Sequence, residues 1–369
     1  MAEWLLRYGP VVLAWVLFTA RGGGDPGRRA IRQVFLGLAV SLTALTPAGH
    51  AVIRAVTGAP DLPRLVGHAG MLYAAWSAQR FLAHLNGIRP PRRQGWWIGG
   101  MFVVMCVLFA LTPDLKPQSP WVMEYCFAYA AAQIPAFAGV IRLGLRYARP
   151  AGPASLRAGL YLAVAGTAAG VVYLVNKTVL AAAPRWGFEY PPGHAFLLSK
   201  ALPAAAHVLV LVGVTLPGAA AWLGRCRRYR RLRPLWTALY RADPAIALDP
   251  PAGPRRLVPW GLRMRLYRRV IEIRDGLLAL QPYRDPAVAV AARESGATAG
   301  LRGRRLDAAV EAAAVVAALR ARADGVVPDA EASAAGESTA TPGGDDLDSD
   351  TAFLGEVAVA YRRSAVLAR

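Results

Sequence analysis

Seven stretches of this chain stay apolar for long enough to read as membrane helices, and short loops rich in Arg, Gly and Pro separate them. The first covers residues 10–20, extendable back to Trp4. The others cover 34–56, 62–85, 96–112, 121–147, 156–180 and 194–222. Each reaches or approaches the ~20 residues that cross a hydrocarbon core of about 30 Å. A helix is the open-chain solution there, because lipid offers the backbone no hydrogen-bond partner. After Trp222 the pattern changes. Leu262, Leu266, Val270, Ile273, Leu277 and Leu280 recur at three- and four-residue steps, the spacing of one apolar face on a soluble helix over 260–280. A second amphipathic helix is predicted over 304–322, and a short helix plus loop over 232–248.

Loop charge orients the predicted bundle. One set of loops carries Arg21, Arg28, Arg29, Arg32, then Arg89, Arg92, Arg93, then Arg146, Arg149 and Arg157. The alternate set carries Arg64, Lys116 and Arg185 beside Asp61, Asp114 and Glu189. The Arg-rich side faces the cytosol by the positive-inside rule. That places the N-terminus outside and the C-terminus inside, and the dense run from Arg225 to Arg233 agrees. The basic cluster follows the first apolar run rather than preceding it, so the run reads as a retained helix and not as a cleaved secretory signal. The expected fold class is therefore all-α: seven transmembrane helices and a cytosolic helical domain in a bacterial cell membrane. The predicted divisions are 1–224 membrane domain, 225–325 cytosolic helical domain, 326–350 disordered linker and 351–369 short final helix capped by Asp350.

Composition supports this. Of 369 residues, 55% are hydrophobic and 18% charged, where soluble domains carry roughly 25% charged residues. The formal net charge of +20 could suggest nucleic acid. The arginines follow apolar runs, however, and no helix-turn-helix or aromatic sheet pattern accompanies them, so none is expected. Arg225 to Arg233 is expected to meet anionic headgroups. Cys106, Cys126 and Cys226 have no CxxC or Cys/His spacing and imply neither zinc nor disulfides. Asp346, Asp348 and Asp350 open like a calcium loop, but Thr351 and Val357 stand where Gly and Glu are required. With no P-loop, HExxH or GxSxG, neither an enzyme nor a cofactor is expected.

The candidate chemistry lies at membrane depth. His50, His68, Glu124, Lys177 and Lys200 fall in the outer halves of their helices, with Gln133 and His207 near the midplane. Ionisable groups there are costly and mark ligand sites or pathways. Glu124 is expected to pair with Lys200 or Lys177 while the histidines line a cavity; the alternative is that both lysines snorkel to the headgroups. Pro47, Pro135 and Pro203 should kink helices two, five and seven. Gly166 with Gly170, and Gly70 with Ala74 and Ala78, should let helices approach closely.

The segment LYRRVIEIRDGLLAL at 266–280, then Pro282-Tyr283, with Pro234-Leu235-Trp236 upstream and Glu311-Ala312-Ala313 downstream, resembles an uncharacterised actinobacterial family of seven-helix membrane proteins. Its members are often labelled transporters and carry a cytosolic domain of unknown function. The resemblance implies the architecture and supplies no ligand residues. Two functions remain: a transporter of a small solute, or a receptor or scaffold whose cytosolic helices bind a protein partner or a second copy. In the latter case the stripe from Leu262 to Leu280 is either the contact surface or the domain's own core.

Overall fold

The computed structural model describes residues 2–20, 26–89, 92–112, 115–116, 119–187, 197–247, 261–327 and 347–367. Every regular element among them is helical. They form two compact units, 1–218 and 219–369.

The first unit contains α1 (Ala2–Ala20), α2 (Pro26–Ala44), α3 (Pro47–Thr57), α4 (Leu62–Leu85), α5 (Arg92–Leu111), α6 (Val122–Ala148), α7 (Ala154–Trp186) and most of α8 (Leu202–Arg231). Four helices are long and apolar enough to cross a membrane, or five when α2 and α3 count as one span. The single helix expected over 34–56 is thus broken: α2 and α3 are bent by 79°. The cause is local. Pro47 has no N–H to continue the ladder and pushes Thr46 into extended backbone (φ −76°, ψ 153°). The Thr46 hydroxyl then caps α3 by accepting from the Gly49 N–H at 3.0 Å.

Neighbours pack in the order α1, α2, α4, α6, with α5 and α7 on α6. Two crossings are closer than side chains permit. A Cβ at Gly70 would sit 2.7 Å from the Gly37 carbonyl oxygen and 2.8 Å from the Ser41 nitrogen. A Cβ at Gly159 would sit 2.4 Å from the Gly213 carbonyl oxygen. Backbones that meet this closely gain the dispersion that holds helices together in lipid. Pro135 acts differently. Lacking an N–H, it frees the Ala131 carbonyl one turn earlier. The Trp97 indole on α5 donates to that oxygen at 2.9 Å, and the Gln79 amide on α4 donates to the Ala136 carbonyl at 2.9 Å.

The end of α8 begins the second unit, which adds α9 (Arg233–Ala242), α10 (Leu262–Ala279), α11 (Pro286–Thr298), α12 (Arg304–Ala323) and α13 (Leu347–Leu367). Its core joins Leu235, Trp236 and Leu239 of α9 to one face each of α10, α12 and α13. The six side chains Leu262, Leu266, Val270, Ile273, Leu277 and Leu280 are all buried, so this stripe is the unit's own core and not a free contact surface.

The spacing along α10 puts Glu272 on the polar side with Arg268 and Arg269, yet it is buried and accepts from the Trp236 indole at 2.7 Å. Arg269 lies over the Tyr229 and Trp236 rings, 3.8 and 4.5 Å from their centroids. Burial pushes its guanidinium below the usual value, with Tyr229 and Glu272 opposing the shift.

The final helix starts earlier than expected. Asp350 lies inside α13 rather than capping it, and it pairs with Arg274 at 2.7 Å. Asp348 and Asp350 both sit in its first turn, where the helix dipole favours negative charge. Helix α11 carries no apolar stripe and had no counterpart in the sequence reading. Of the linker expected over 326–350, residues 328–346 lie outside the described residues.

Arg284 fastens the turn before α11 to α12 through two contacts with Glu311, at 2.5 and 3.1 Å. Bidentate charged hydrogen bonds of this kind are the stronger ones. Arg284→Ala should cost about 1–3 kcal/mol. The check is hydrogen exchange on the full chain, which should speed up in α12.

Candidate functional site

A cavity of about 260 Å³ lies between α2, α4, α6, α7 and α8 in the first unit. Its wall is built mostly from aliphatic and aromatic side chains. Six polar residues interrupt it: Ser41, His68, Tyr129, Thr167, Tyr173 and His207.

They come from five helices, with Thr167 and Tyr173 sharing α7. His68, on α4, shares a hydrogen bond between Nδ1 and the Tyr125 hydroxyl at 2.8 Å. Its ring stacks on Tyr129, with centroids 4.1 Å apart and planes 22° from parallel. Tyr125 and Tyr129 are four residues apart on α6 and so present one face. Tyr129 is 9% exposed, and neither its hydroxyl nor that of Tyr173 has a hydrogen-bond partner among the described residues. On α8, His207 Nδ1 lies 2.6 Å from the Pro203 carbonyl oxygen. A carbonyl can only accept, so Nδ1 carries a proton, and Nε2 has no partner among the described residues. Thr167 donates to the Ala163 carbonyl at 2.8 Å, which consumes its donor. The buried Ser41 hydroxyl has no partner among the described residues.

Of the residues singled out in the sequence, the structure brings His68 and His207 to one cavity. His50 lies half-exposed on α3 and away from that wall. Gln133 is completely buried on α6 and does not line the cavity; neither amide atom has a partner among the described residues. Glu124 pairs with Arg185 at 3.1 Å, where a lysine partner had been expected. Arg185 sits in the last turn of α7 and Glu124 in the first turn of α6, so each charge also meets the favourable end of a helix dipole. Lys177 is exposed on α7. Lys200 falls in a π-helical turn, 197–201, and its side chain is outside the described ones. Asn176 reaches that turn through the Ser199 hydroxyl at 3.3 Å.

The sequence reading missed Ser41, Tyr129, Thr167 and Tyr173. One signal was present for Tyr129: Tyr125, Tyr129 and Gln133 recur every four residues on α6. Polar-tipped side chains in register on an otherwise apolar helix mark the face that turns away from lipid. No group of three or more metal-ligating side chains occurs among the described residues, and the three cysteines are free.

No curated protein and no solved structure matches the chain. Residues 221–364, nearly the whole of the second unit, match DUF6545, described as a family of unknown function.

Proposed function

We propose that this is a seven-span membrane protein, N-terminus outside and C-terminus in the cytosol, that binds a small ligand in the cavity and signals its occupancy through the second unit. Seven spans follow if α1, the bent α2–α3 pair and α4 are counted with the four helices that are long and apolar enough to cross on their own. Helix α4 carries Arg64, His68, Gln79 and Arg80, which lower its hydropathy. It is also among the most enclosed helices, with eleven buried residues. A helix wrapped by its neighbours need not be apolar all round. The alternating Arg-rich loops support the orientation.

The observation that carries the signalling reading is the reach of α8. This helix contributes His207 and Val210 to the cavity wall and Tyr229 to the core of the second unit. A change in cavity occupancy that shifts α8 has a covalent path to the domain. Partner binding would use the other face of α10, where Met264, Tyr267, Ile271 and Leu278 are exposed.

The test is hydrogen exchange on the full-length protein in nanodiscs, with benzyl alcohol as the cavity probe and Ala78→Phe as a variant that fills the cavity from its wall. Occupancy by either should alter amide protection in α9 and α10. Protection that changes only in the cavity helices would sink the coupling.

A second reading, a small-solute carrier, is favoured by the break at Thr46, since interrupted helices flank the sites of many transporters. The two readings separate in a cysteine-free background. Thr167→Cys in a carrier reacts with an impermeant thiol reagent from both sides of a vesicle. In a receptor it reacts from one side at most.

A further inference from the structure

Resting on the reading of the cavity as a ligand site, we infer that its ligand is an uncharged, compact molecule with an apolar body and one hydroxyl-like head, the head lying against Tyr129 and Tyr173.

Three observations lead there. The first is charge. Among the described residues, no Asp, Glu, Lys or Arg lines the cavity. Cations next in sequence to wall residues lie over rings outside the wall, Arg32 over Phe18 at 4.6 Å and Arg80 over Trp76 at 4.8 Å; Arg64 bonds Asp61 and the Leu115 carbonyl, Glu124 bonds Arg185, and Lys177 is exposed. An ion entering such a space leaves its hydration shell and gains no counter-charge, at a cost of several kcal/mol. A neutral molecule with an apolar body gains burial instead.

The second is size. A dry cavity of roughly 150 Å³ holds one benzene ring. At about 260 Å³ this one accommodates less than two such rings, and it falls below the volume of common drug-sized sites.

The third is the position of unsatisfied polar groups. Four wall groups have no partner among the described residues: the Ser41 hydroxyl, His207 Nε2 and the hydroxyls of Tyr129 and Tyr173. Each of the two tyrosine hydroxyls can donate and accept. Stacking on His68 holds the Tyr129 ring in place, so its hydroxyl is presented without further loss of side-chain freedom. A head group that both donates and accepts, as a hydroxyl does, can partner either of them. A purely hydrocarbon ligand leaves both unmet.

Four probes of nearly equal size separate these features: benzyl alcohol, toluene, benzoate and benzylammonium. Binding to the full-length protein in nanodiscs is measured by saturation-transfer difference NMR, and only the component abolished by Ala78→Phe is counted, which removes partition into lipid. Benzyl alcohol should bind at least tenfold more tightly than either ion and more tightly than toluene. Tyr129→Phe removes one hydroxyl and keeps the ring. It should weaken benzyl alcohol about five- to tenfold and leave toluene unchanged. Equal or tighter binding of benzoate or benzylammonium overturns the uncharged class while the cavity stands as a site. Unaltered benzyl alcohol binding in Tyr129→Phe overturns the placement of the head. If none of the four shows a component sensitive to Ala78→Phe, the cavity is not a ligand site and the reading beneath this inference fails with it.

Discussion

Replacing Trp236 with Ala is expected to unfold most of the second unit. Trp236 is 6% exposed and sits where α9 meets α10. Removing a buried indole costs about 3–5 kcal/mol through lost burial and the space left behind. Here the change also strips Glu272 of its indole donor, and Glu272 is itself 6% exposed. A buried carboxylate left without its donor adds roughly 1–3 kcal/mol or more. The Arg269 guanidinium loses one of its two aromatic faces, and Tyr240 loses its stacking partner at 5.4 Å. The sum approaches the about 5–15 kcal/mol that stabilises a whole domain. Trp236→Phe separates the contributions, because it keeps most of the apolar volume and removes the N–H. It should cost about 1–3 kcal/mol. Hydrogen exchange on the full chain reads both. In the Ala variant, protection of α9, α10, α12 and α13 should fall together. Equal losses in the two variants would show that the buried hydrogen bond, not the packing, dominates.

The contrast between the two units shows what a sequence can disclose. The apolar stripe on α10 was legible because its other positions are largely polar, so a period of three to four residues stood out. Its six members are buried as a set. The same test fails inside a membrane bundle. There a helix is apolar all round, and the face toward protein cannot be told from the face toward lipid by hydropathy. Hence Tyr129 and Tyr173 went unnoticed, while His68 and His207 drew attention by their charge class alone. Glu272 was misplaced for the converse reason. A carboxylate on a soluble helix is read as solvent-facing, and only a partner thirty-six residues away, the Trp236 indole, brings it inside. Helix α11 was invisible because five of its thirteen residues are Ala and its single buried residue is Gly296. The break at Thr46 was half legible: Pro47 predicted a kink, but the Thr46 cap that turns a kink into a new helix depends on a rotamer.

Gly70→Val should separate α2 from α4 and abolish cavity binding. The argument is steric. Any Cβ at position 70 meets the Gly37 carbonyl oxygen at 2.7 Å and the Ser41 nitrogen at 2.8 Å. Both are backbone atoms of a helix, so no rotamer change relieves the contact. The helices must move apart instead, and the crossing loses contacts that water cannot replace in lipid. Even Gly70→Ala should cost about 1–3 kcal/mol, the usual range for overpacking, and the branched Val more. Ser41 and Ala74, which line the cavity, lie at this crossing and shift with it. Gly100 on α5 provides the control, since a Cβ there meets nothing within 4 Å. Gly100→Ala restores a better helix former and should be neutral or stabilising by up to about 1 kcal/mol. Thermal unfolding of the purified full-length protein, followed through its helical signal, compares the variants. A Gly70→Ala midpoint no lower than that of Gly100→Ala would mean that the crossing is looser than its backbone distances indicate. A large drop confined to the Gly70 variants, with loss of benzyl alcohol binding in the folded remainder, ties the geometry of one glycine contact to the existence of the site.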